Sequence, residues 1–491
     1  MESLNKLLDY QKDISNLQYT ISLLKWELKV SAPKKSEKNL IGLITYYEGK
    51  LFELQTSKYY GELLNKVITD SSFNDMSEEE QRYIYNIARH YEEKKRVPID
   101  FYTKYVELKN ESTSVWRVAK EQNNYALFKP YLKRIIEMTK QYYSYIGNGS
   151  NNLYDTMLNE YEIGMTSEII DKLFDRLKDR IVPIIPKGEQ HIEFNNSVHY
   201  TNQELLDSAK LLLDYIGFDM DKGTLGIYPH GFTEKMCQND IRIAFRHTND
   251  PFDFTTTIIH EGGHGIFEQN IDEKLTRFEN KSIENLYALH ESQSRFYENI
   301  LGRNINFWIP IYDEIKKKLK LDMSLEEFIS VLNHPVPNIK RTESDELTYC
   351  MHIILRYEIE RAIFSDSVSL EELPDMWNQK MYDYLGIETK KDSEGLMQDV
   401  HWAEGDFGYF PSYLLGSIYD GMFKDAIERD LGDIDTILRT GKVKDITSYL
   451  TSNIHKNGGA YTSQEIIDRM CHSEISVDPL ATYFEKKYKR K

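Results

Sequence analysis

Apolar residues recur at helical spacing through most of this 491-residue chain, and this repeat constrains the fold more than any other feature. Residues three and four positions apart share one face of a helix, so each such segment can bury one side. The first segment, MESLNKLLDYQKDISNLQYTISLLKWEL, shows the repeat at Leu4, Leu7, Leu8, Ile14, Leu17, Ile21 and Leu24. The sequence therefore predicts a mainly α-helical fold.

Several helix starts can be located from residues that cap a free N-terminus. Thr166, Asn202 and Ser324 each precede an apolar stripe and are predicted N-caps. Near the C-terminus, Thr462-x-x-Glu465 has the pattern of a capping box. The chain has only 13 prolines and no Pro/Gly/Ser-rich linker. We therefore predict a single domain over residues 1–491, which can be arranged as two lobes.

Two short segments alternate with a period of two residues, as strands do. One surrounds Ile192 and Phe194, and the other, DIRIAFRHT, alternates Ile241, Ile243 and Phe245 with Arg242, Ala244 and Arg246. The second segment ends shortly before the apolar stretch TTTIIHEGGHGIFEQN at residues 255–270. We therefore expect a small sheet beside the helix that this stretch forms.

Charge, cysteine content and the N-terminus exclude several classes of protein. There are 61 basic and 79 acidic residues, a net charge of −18 that argues against nucleic acid or an anionic membrane as partner. Cys237, Cys350 and Cys471 form no CxxC pair, so we expect neither a disulfide framework nor a thiolate metal site. No apolar run reaches the roughly 20 residues of a membrane helix, and the N-terminus lacks a signal peptide's apolar core. These features favour a cytoplasmic location.

The stretch at residues 255–270 carries the strongest chemical signal. His260 and His264 are four residues apart, so they share a helix face and can hold one zinc ion. Glu261 lies beside them, and in this HExxH pattern the glutamate is the general base of metalloproteases. The alternative is a pair of hydrogen-bonded histidines in a helical core. Gly262 and Gly263 weaken a helix, so we expect them to admit a neighbouring segment close to the metal.

A catalytic zinc site needs a third protein ligand and an open position. The segment SIENLYALHESQSRFYENILG has a helical pattern that begins near Ser282 and ends before Gly302, with a polar centre, HESQS. Glu291 in that centre would complete a set of two histidines and one glutamate; the alternative is a solvated surface glutamate. This ligand set suits one zinc ion per chain, with cobalt or manganese as alternatives.

These motifs resemble those of the carboxypeptidase Taq family of metallocarboxypeptidases, and the resemblance covers nearly the whole chain. HExxH is present at residues 260–264, and the family's HESQS motif, whose glutamate is the third metal ligand, at residues 290–294. The IRxxAD pattern extends from Arg341 to Asp345, with Ser344 in place of alanine. The GxxQDxHW motif is intact as Gly395, Gln398, Asp399, His401 and Trp402.

The chain departs from the family pattern at two motifs near the predicted sheet. The HPF triplet is His230-Gly231-Phe232, and DxRxT ends in Ala244 instead of threonine. Neither change touches the residues predicted to bind metal. Both concern the positioning of substrate beside the strand.

The resemblance implies a fold, a reaction and an assembly. It implies a large helical metallopeptidase fold with a deep central cleft and a small antiparallel β-sheet beside the HExxH helix. It also implies a carboxypeptidase that releases single C-terminal amino acids from peptides with a free C-terminus. The family often forms homodimers, so a homodimer is expected.

Roles for individual residues follow from this reaction. Glu261 is expected to act as the general base, and His401 or Tyr409 to donate a hydrogen bond to the negative oxygen of the tetrahedral intermediate. The substrate's terminal carboxylate needs a cation, for which arginine's planar fork is best suited. Arg341 is the first candidate and Arg242 the second, and His230 is expected nearby at the substrate.

Two other functions remain open at this point. A zinc endopeptidase or oligopeptidase of related helical fold would share every metal-site feature and differ only in lacking carboxylate recognition. A helical binding scaffold that has lost catalysis is the alternative from another class. Complete metal and base residues argue against the scaffold.

Overall fold

The computed structural model describes residues 2–147, 152–187, 198–278 and 286–489. Most of this part of the chain is helical, which confirms the fold class predicted from the periodicity. The helices that precede the sheet are α1 (Glu2–Trp26), α2 (Glu37–Gln55), α3 (Lys58–Thr69), α4 (Glu78–Lys94), α5 (Ile99–Glu121), α6 (Tyr125–Ile146), α7 (Leu153–Tyr161), α8 (Ser167–Ile181) and α9 (Asn202–Ile216).

The second half of the chain contributes the helices that follow the sheet. They are α10 (Pro251–Gln269), α11 (Glu273–Thr276), α12 (Tyr287–Arg295), α13 (Ile305–Trp308), α14 (Tyr312–Lys318), α15 (Leu325–Leu332), α16 (Tyr349–Phe364), α17 (Leu373–Leu385), α18 (Phe410–Leu431), α19 (Ile434–Arg439), α20 (Val443–Asn453), α21 (Ser463–Cys471) and α22 (Asp478–Tyr488). Across the described ranges of both halves, two segments are π-helical, Glu27–Ser31 and Phe296–Leu301. Short 3₁₀ turns lie at Lys34–Ser36, Ser71–Asp75, Val182–Ile184, Met220–Lys222, Arg341–Glu343 and His455–Asn457.

The predicted helix caps are correct except for one. Thr166 caps α8, and Ser324 and Thr462 each form a capping box, at α15 and α21. Asn202, however, is the first residue of α9, whose N-cap is Thr201 in a capping box with Glu204. The capping box satisfies two free backbone N–H groups at once, which an asparagine at the next position does not.

The small sheet has three strands in the order β1-β3-β2, where β1 is Gly223–Ile227, β2 is Phe232–Cys237 and β3 is Asp240–Phe245. β2 pairs antiparallel with β3, but β1 pairs parallel with it. The sheet is therefore mixed, and the expectation of a wholly antiparallel sheet is wrong. Successive strands reverse direction, so β3 runs parallel to β1. It pairs with β1 directly because it lies between β1 and β2. The strand predicted around Ile192 and Phe194 lies outside the described residues.

β3 lies between two hydrophobic cores. Ile241, Ile243 and Phe245 are buried in the main core, as their alternation predicts. The alternation places Ala244 on the outward face, but this residue is also buried, because Trp26 of α1 covers the second face of the sheet. The main core includes residues from α1 to α22, so both ends of the chain pack into it. Within the described ranges, no helix is both long and apolar enough to span a membrane.

Candidate metal centre

α10 carries the two histidines and the glutamate of the HExxH motif. The helix begins after Asp250, whose side chain accepts hydrogen bonds from two backbone N–H groups of the first turn. It packs against β3, α9 and α12, so nearly its whole length is buried. His260 and His264 therefore project from a rigid, buried helix, with ring centroids 5.0 Å apart.

The two glycines of this motif face different neighbours. A Cβ atom on Gly263 would lie 2.6 Å from the backbone oxygen of Gln293 in α12, closer than real contacts allow. A Cβ atom on Gly262 would lie 2.6 Å from the side chain of Ile216 in α9. The glycines therefore let α9 and α12 pack directly against α10, which confirms the expected close approach of a second helix.

α12 brings Glu291 to the two histidines; Ser282, the predicted start of this segment, lies outside the described residues. One ligand atom each from His260, His264 and Glu291 lies within 4.8 Å of the others, in a group that could hold a metal ion. The His264 Nε2 and Glu291 Oε2 atoms are 3.4 Å apart. Two ligand atoms about 2.1 Å from a common tetrahedral zinc ion would have nearly this separation. The geometry therefore fits a metal site with these three ligands.

The charge states of His264 and Glu291 also fit a metal ion. Burial and the neighbouring His290 lower the pKa of His264 to about 3, so its imidazole is neutral at pH 7. Burial opposes ionisation of Glu291, but Arg295 and the histidines hold the pKa of that carboxyl well below its usual range. A neutral imidazole and an ionised carboxylate are the forms that bind a metal.

Glu298, in the π-helical segment after α12, orients the first histidine. The Nδ1 atom of His260 lies 2.8 Å from Glu298 Oε2. Although burial opposes it, the His260 contact and Arg295 lower the pKa of Glu298 to about 2, so Glu298 is a carboxylate and accepts this hydrogen bond. The Nε2 atom of His260 is thereby left for a metal ion, an arrangement common in zinc proteins.

Glu261 lies beside this group and is held in place by a hydrogen bond from a residue of the sheet. The hydroxyl of Thr233 in β2 donates a hydrogen bond to Glu261 Oε2 at 2.7 Å. Burial raises the pKa of the Glu261 carboxyl, which favours its proton-bound form more than usual. Gly231 packs against it, since a Cβ atom there would lie 2.7 Å from Thr257 and 2.9 Å from Glu261 Oε1. The glycine that replaces proline in the HPF triplet therefore lets this loop approach Glu261.

His260, Glu261 and Glu291 line one cavity of about 400 Å³. Its other described lining includes the exposed loop at His230 and the segment from Arg341 to Ser344. The cavity therefore joins the proposed metal ligands and the proposed base to residues expected to bind substrate.

Comparison with known proteins identifies the family. A sequence profile for carboxypeptidase Taq (M32) metallopeptidases matches residues 6–488. The chain belongs to this family. It is 37% identical over 490 residues to carboxypeptidase 1 of Bacillus subtilis, with 98% of this chain and 97% of that protein covered. Its identity to thermostable carboxypeptidase 1 of Thermus thermophilus is 30%, with the same coverage.

The fold supports the same assignment. The crystal structure of M32 carboxypeptidase from Deinococcus radiodurans R1 matches with a TM-score of 0.93 at 25% identity, over 99% of both chains. Membership of the M32 family confirms the resemblance seen in the motifs and implies a divalent metal ion. The chain is thus a metallocarboxypeptidase by family, and the group of His260, His264 and Glu291 fits the metal that the family requires.

Two M32 motifs meet at Arg341. Its Nε and Nη2 atoms donate to Asp399 Oδ1 at 3.2 and 3.0 Å, and its Nη1 atom donates to the Tyr349 hydroxyl at 2.9 Å. Gln398 accepts a hydrogen bond from the Arg341 backbone N–H. The GxxQDxHW motif therefore fixes the arginine of the IRxxAD motif at the cavity wall.

Arg242 lies apart from the cavity. Its guanidinium makes two hydrogen bonds of 2.9 Å to Asp240 and lies 5.7 Å from the ring of Trp26. It faces the smaller core and does not belong to the described lining of the cavity. Its role in substrate binding stays a prediction.

His401 and Tyr409 lie behind a tyrosine that the sequence did not single out. Their ring centroids are 5.4 Å apart, and both contact Tyr413, which lines the cavity. His401 Nε2 is 3.3 Å from the Tyr413 hydroxyl. Burial lowers the pKa of His401 to about 4, so its ring is neutral at pH 7. Tyr413 is thus the member of this cluster that reaches the cavity.

Several other residues of the site could not be singled out by motif. Arg295 and Glu298 follow Glu291 by one and two helical turns, and this spacing is the only signal that the sequence offers for them. Tyr413 follows Tyr409 by one turn in the same way. Arg246 lines the cavity immediately beyond the end of β3, and nothing in the pattern distinguishes it.

Proposed function

We propose that this protein removes single C-terminal amino acids from peptides with a free C-terminus by metal-dependent hydrolysis. The observation that carries the proposal is the position of Glu261, buried beside the His260–His264–Glu291 group and lining the same cavity. A base next to a metal site, in a cavity that also contains arginines, suits hydrolysis of a substrate bearing a carboxylate.

Zinc is the metal we propose, one ion per chain, with cobalt or manganese as alternatives. Two histidines and a carboxylate form a typical ligand set for catalytic zinc. When bound, such an ion lowers the pKa of water and polarises the carbonyl group of a peptide bond. His260, His264 and Glu291 would hold it, and Glu298 would keep the His260 ring in the required orientation.

Glu261 is the proposed general base. Thr233 holds its Oε2 atom, while no hydrogen bond from the described residues reaches Oε1. Oε1 can therefore accept the proton of the attacking water and pass it to the departing amine. The raised pKa of this buried carboxyl brings it closer to the neutral pH at which such proton transfer is efficient.

The negative oxygen of the tetrahedral intermediate needs a hydrogen-bond donor. We propose that Tyr413 makes this contact, and that His401 and Tyr409, the candidates from the sequence, act through Tyr413 by positioning its hydroxyl group. Tyr413 lines the cavity, and His401 Nε2 lies 3.3 Å from its hydroxyl oxygen. His401 is neutral at pH 7, so it can donate one N–H without adding charge.

Substrate binding is assigned to two other parts of the cavity lining, at Arg341 and at His230. Arg341 supplies positive charge there, and His230 lies exposed at the edge of the same cavity. Arg242 would act only indirectly, through β3, which ends one residue before the cavity residue Arg246. We further propose that residues 1–491 work as one catalytic domain in a cytoplasmic homodimer. Light scattering after gel filtration tests the dimer, with about twice the 57.9 kDa chain mass expected.

The function is tested with one peptide and its C-terminally amidated twin. Zinc-loaded protein should release one residue from the free peptide, detected by mass, and leave the amide intact. Glu261→Gln should bind zinc but lose about 100- to 10,000-fold in rate, the usual contribution of a general base.

The alternative functions predict different products. Internal cleavage of both peptides would identify an endopeptidase or oligopeptidase. No metal-dependent cleavage of either peptide would favour a binding scaffold.

A further inference from the structure

Among the described residues, three arginines line the cavity that contains Glu261: Arg246, Arg295 and Arg341. If the proposed function is correct, these arginines are the strongest candidates to bind the terminal carboxylate of the substrate directly. An arginine does so best when its guanidinium is accessible and still has N–H groups to donate. The three side chains differ in both respects.

Arg341 is already bound within the protein. Its side chain is 8% exposed, and each of its three guanidinium nitrogens donates to Asp399 or Tyr349. Its charge is balanced by Asp399, which also contacts Arg356. Moving Arg341 toward a ligand would leave a buried carboxylate with fewer partners, which is costly.

Arg295 is hydrogen-bonded to Glu291, one of the three proposed metal ligands. Its Nε atom donates to Glu291 Oε1 at 2.8 Å, and its guanidinium lies 3.9 Å from the centre of the Tyr349 ring. Its Nη1 atom is 3.9 Å from Glu298, and the side chain is only 11% exposed. Arg295 therefore holds the ligand Glu291 in place and is not available to a substrate.

Arg246 differs from these two arginines in both its accessibility and its hydrogen bonding. Its side chain is 49% exposed, and its one hydrogen bond among the described residues runs from Nη2 to Asp253 Oδ2 at 2.7 Å. The Nε and Nη1 atoms donate to no described residue. Arginine has five N–H groups, so one bond to Asp253 leaves enough donors for a second carboxylate.

The position of Arg246 also suits a C-terminal residue. Asp253, its partner, lies seven residues before His260 on α10, about 10 Å along the helix axis. One extended residue covers about 3.5 Å, and a contact of about 3 Å at each end brings the span to about 10 Å. Thr256 and Thr257 line the cavity between these two positions.

We propose that Arg246 binds the terminal carboxylate of the peptide substrate and thereby makes the enzyme a carboxypeptidase. Asp253 holds the guanidinium at the cavity wall in the free enzyme and keeps one of its N–H groups when substrate binds. Arg341 contributes positive charge nearby but donates its hydrogen bonds to the protein.

The test compares acid and amide forms of one inhibitor. The probe is a short peptide whose last amide bond is replaced by CH₂–NH, so it is not hydrolysed, made with a free or an amidated C-terminus. Its two inhibition constants are measured against hydrolysis of a fixed free-acid substrate. The ratio of amide to acid constants reports carboxylate recognition and is not moved by a general loss of stability.

For Arg246→Gln we expect this ratio to fall close to one and kcat/KM to fall about 10- to 100-fold, the loss typical of a charge-assisted hydrogen bond. Arg246→Lys keeps the charge but not the fork, so an intermediate ratio is expected. Zinc affinity should be unchanged in both variants.

The matched control is Arg361→Gln. Arg361 is 34% exposed and, as Arg246 does with Asp253, donates one hydrogen bond from Nη2 to an aspartate, Asp171. It lies outside the described lining of the cavity. This variant should keep the wild-type ratio. A wild-type ratio in Arg246→Gln, or its collapse only in Arg341→Gln, would overturn the proposal. If the wild-type enzyme itself releases no C-terminal residue, the proposed function fails first, and the assignment of Arg246 fails with it.

Discussion

Substituting Gly263 tests how α12 is brought to the metal group. In Gly263→Ala the new Cβ atom would lie 2.6 Å from the Gln293 backbone oxygen and 2.7 Å from the Ser294 Cα atom. Favourable contacts between carbon atoms lie at about 3.5–4.0 Å, so α12 must move by several tenths of an ångström or more. Because the obstacle is backbone, rotation of a side chain cannot relieve it.

The expected magnitude combines two opposing effects. Overpacking of a core typically costs about 1–3 kcal/mol. Replacing glycine by alanine in a helix returns about 1 kcal/mol. We therefore expect Gly263→Ala to lower the free energy of unfolding by up to about 2 kcal/mol. Because α12 carries Glu291, zinc affinity should also fall, by about 10- to 100-fold, the range seen when support for a ligand is lost.

Gly262→Ala is the matched control in the same helix. Its Cβ atom would meet only the ends of flexible side chains, Ile216 Cδ1 at 2.6 Å and Leu213 Cδ2 at 2.7 Å. Repacking of these ends should roughly cancel the gain in helix propensity. Urea unfolding of the metal-free proteins and competition with a chelating dye measure both effects. Equal stability and equal zinc affinity of the two variants would refute the reasoning.

Three further substitutions test the contact that orients His260, the contact that holds Glu261, and the proton on the buried Glu162. Glu298→Gln removes the carboxylate that accepts from His260, so zinc affinity should fall about 10- to 100-fold in a dye competition. Thr233→Val removes the hydrogen bond to Glu261, so kcat/KM should fall about tenfold, and Thr233→Ser should restore most of it. Burial raises the pKa of Glu162 from 4.5 to about 8, so the folded state retains a proton that the unfolded chain releases. This retained proton stabilises the folded state fully below pH 4.5, and the stabilisation is lost as the pH rises from 4.5 toward 8. Glu162→Gln should therefore flatten the dependence of the free energy of unfolding on pH in this range.

The control for Glu298→Gln is Glu346→Gln. Glu346→Gln changes another buried carboxylate, one that binds Tyr483 and Lys487, and should leave zinc affinity unchanged. Equal loss of zinc in Glu346→Gln and Glu298→Gln would mean that general destabilisation is responsible. Unchanged kcat/KM in Thr233→Val would remove Thr233 from the positioning of the base. An unfolding profile with the wild-type pH dependence in Glu162→Gln would contradict the assigned proton.

Local patterns predict the helical fold because the signals are contained within short segments. A cap and its partner are three residues apart, as at Ser324 and Thr462, so both capping boxes are visible in the sequence. The Thr201–Glu204 box has the same spacing, so the sequence also contained the signal that corrects Asn202. The alternation of β3 is local as well, but the cover that Trp26 gives to Ala244 depends on where α1 packs.

The residues of the site also divide into those that a local pattern predicts and those that depend on distant contacts. His260 and His264 are paired by helix geometry alone, so the HExxH sequence is sufficient to indicate a metal site. The accessibility of an arginine depends on partners distant in sequence, and so it could not be predicted. Arg341 is fixed by Asp399, 58 residues away, whereas Arg246 remains half-exposed beside a strand end.

The most direct test of the central claim is anomalous X-ray diffraction at the zinc absorption edge from crystals of the zinc-loaded protein. One ion per chain bound by His260, His264 and Glu291 predicts a single strong anomalous peak per chain among these three side chains, next to Glu261. A principal peak elsewhere, or no peak at this group in fully loaded protein, would contradict the metal centre on which the proposed hydrolysis depends.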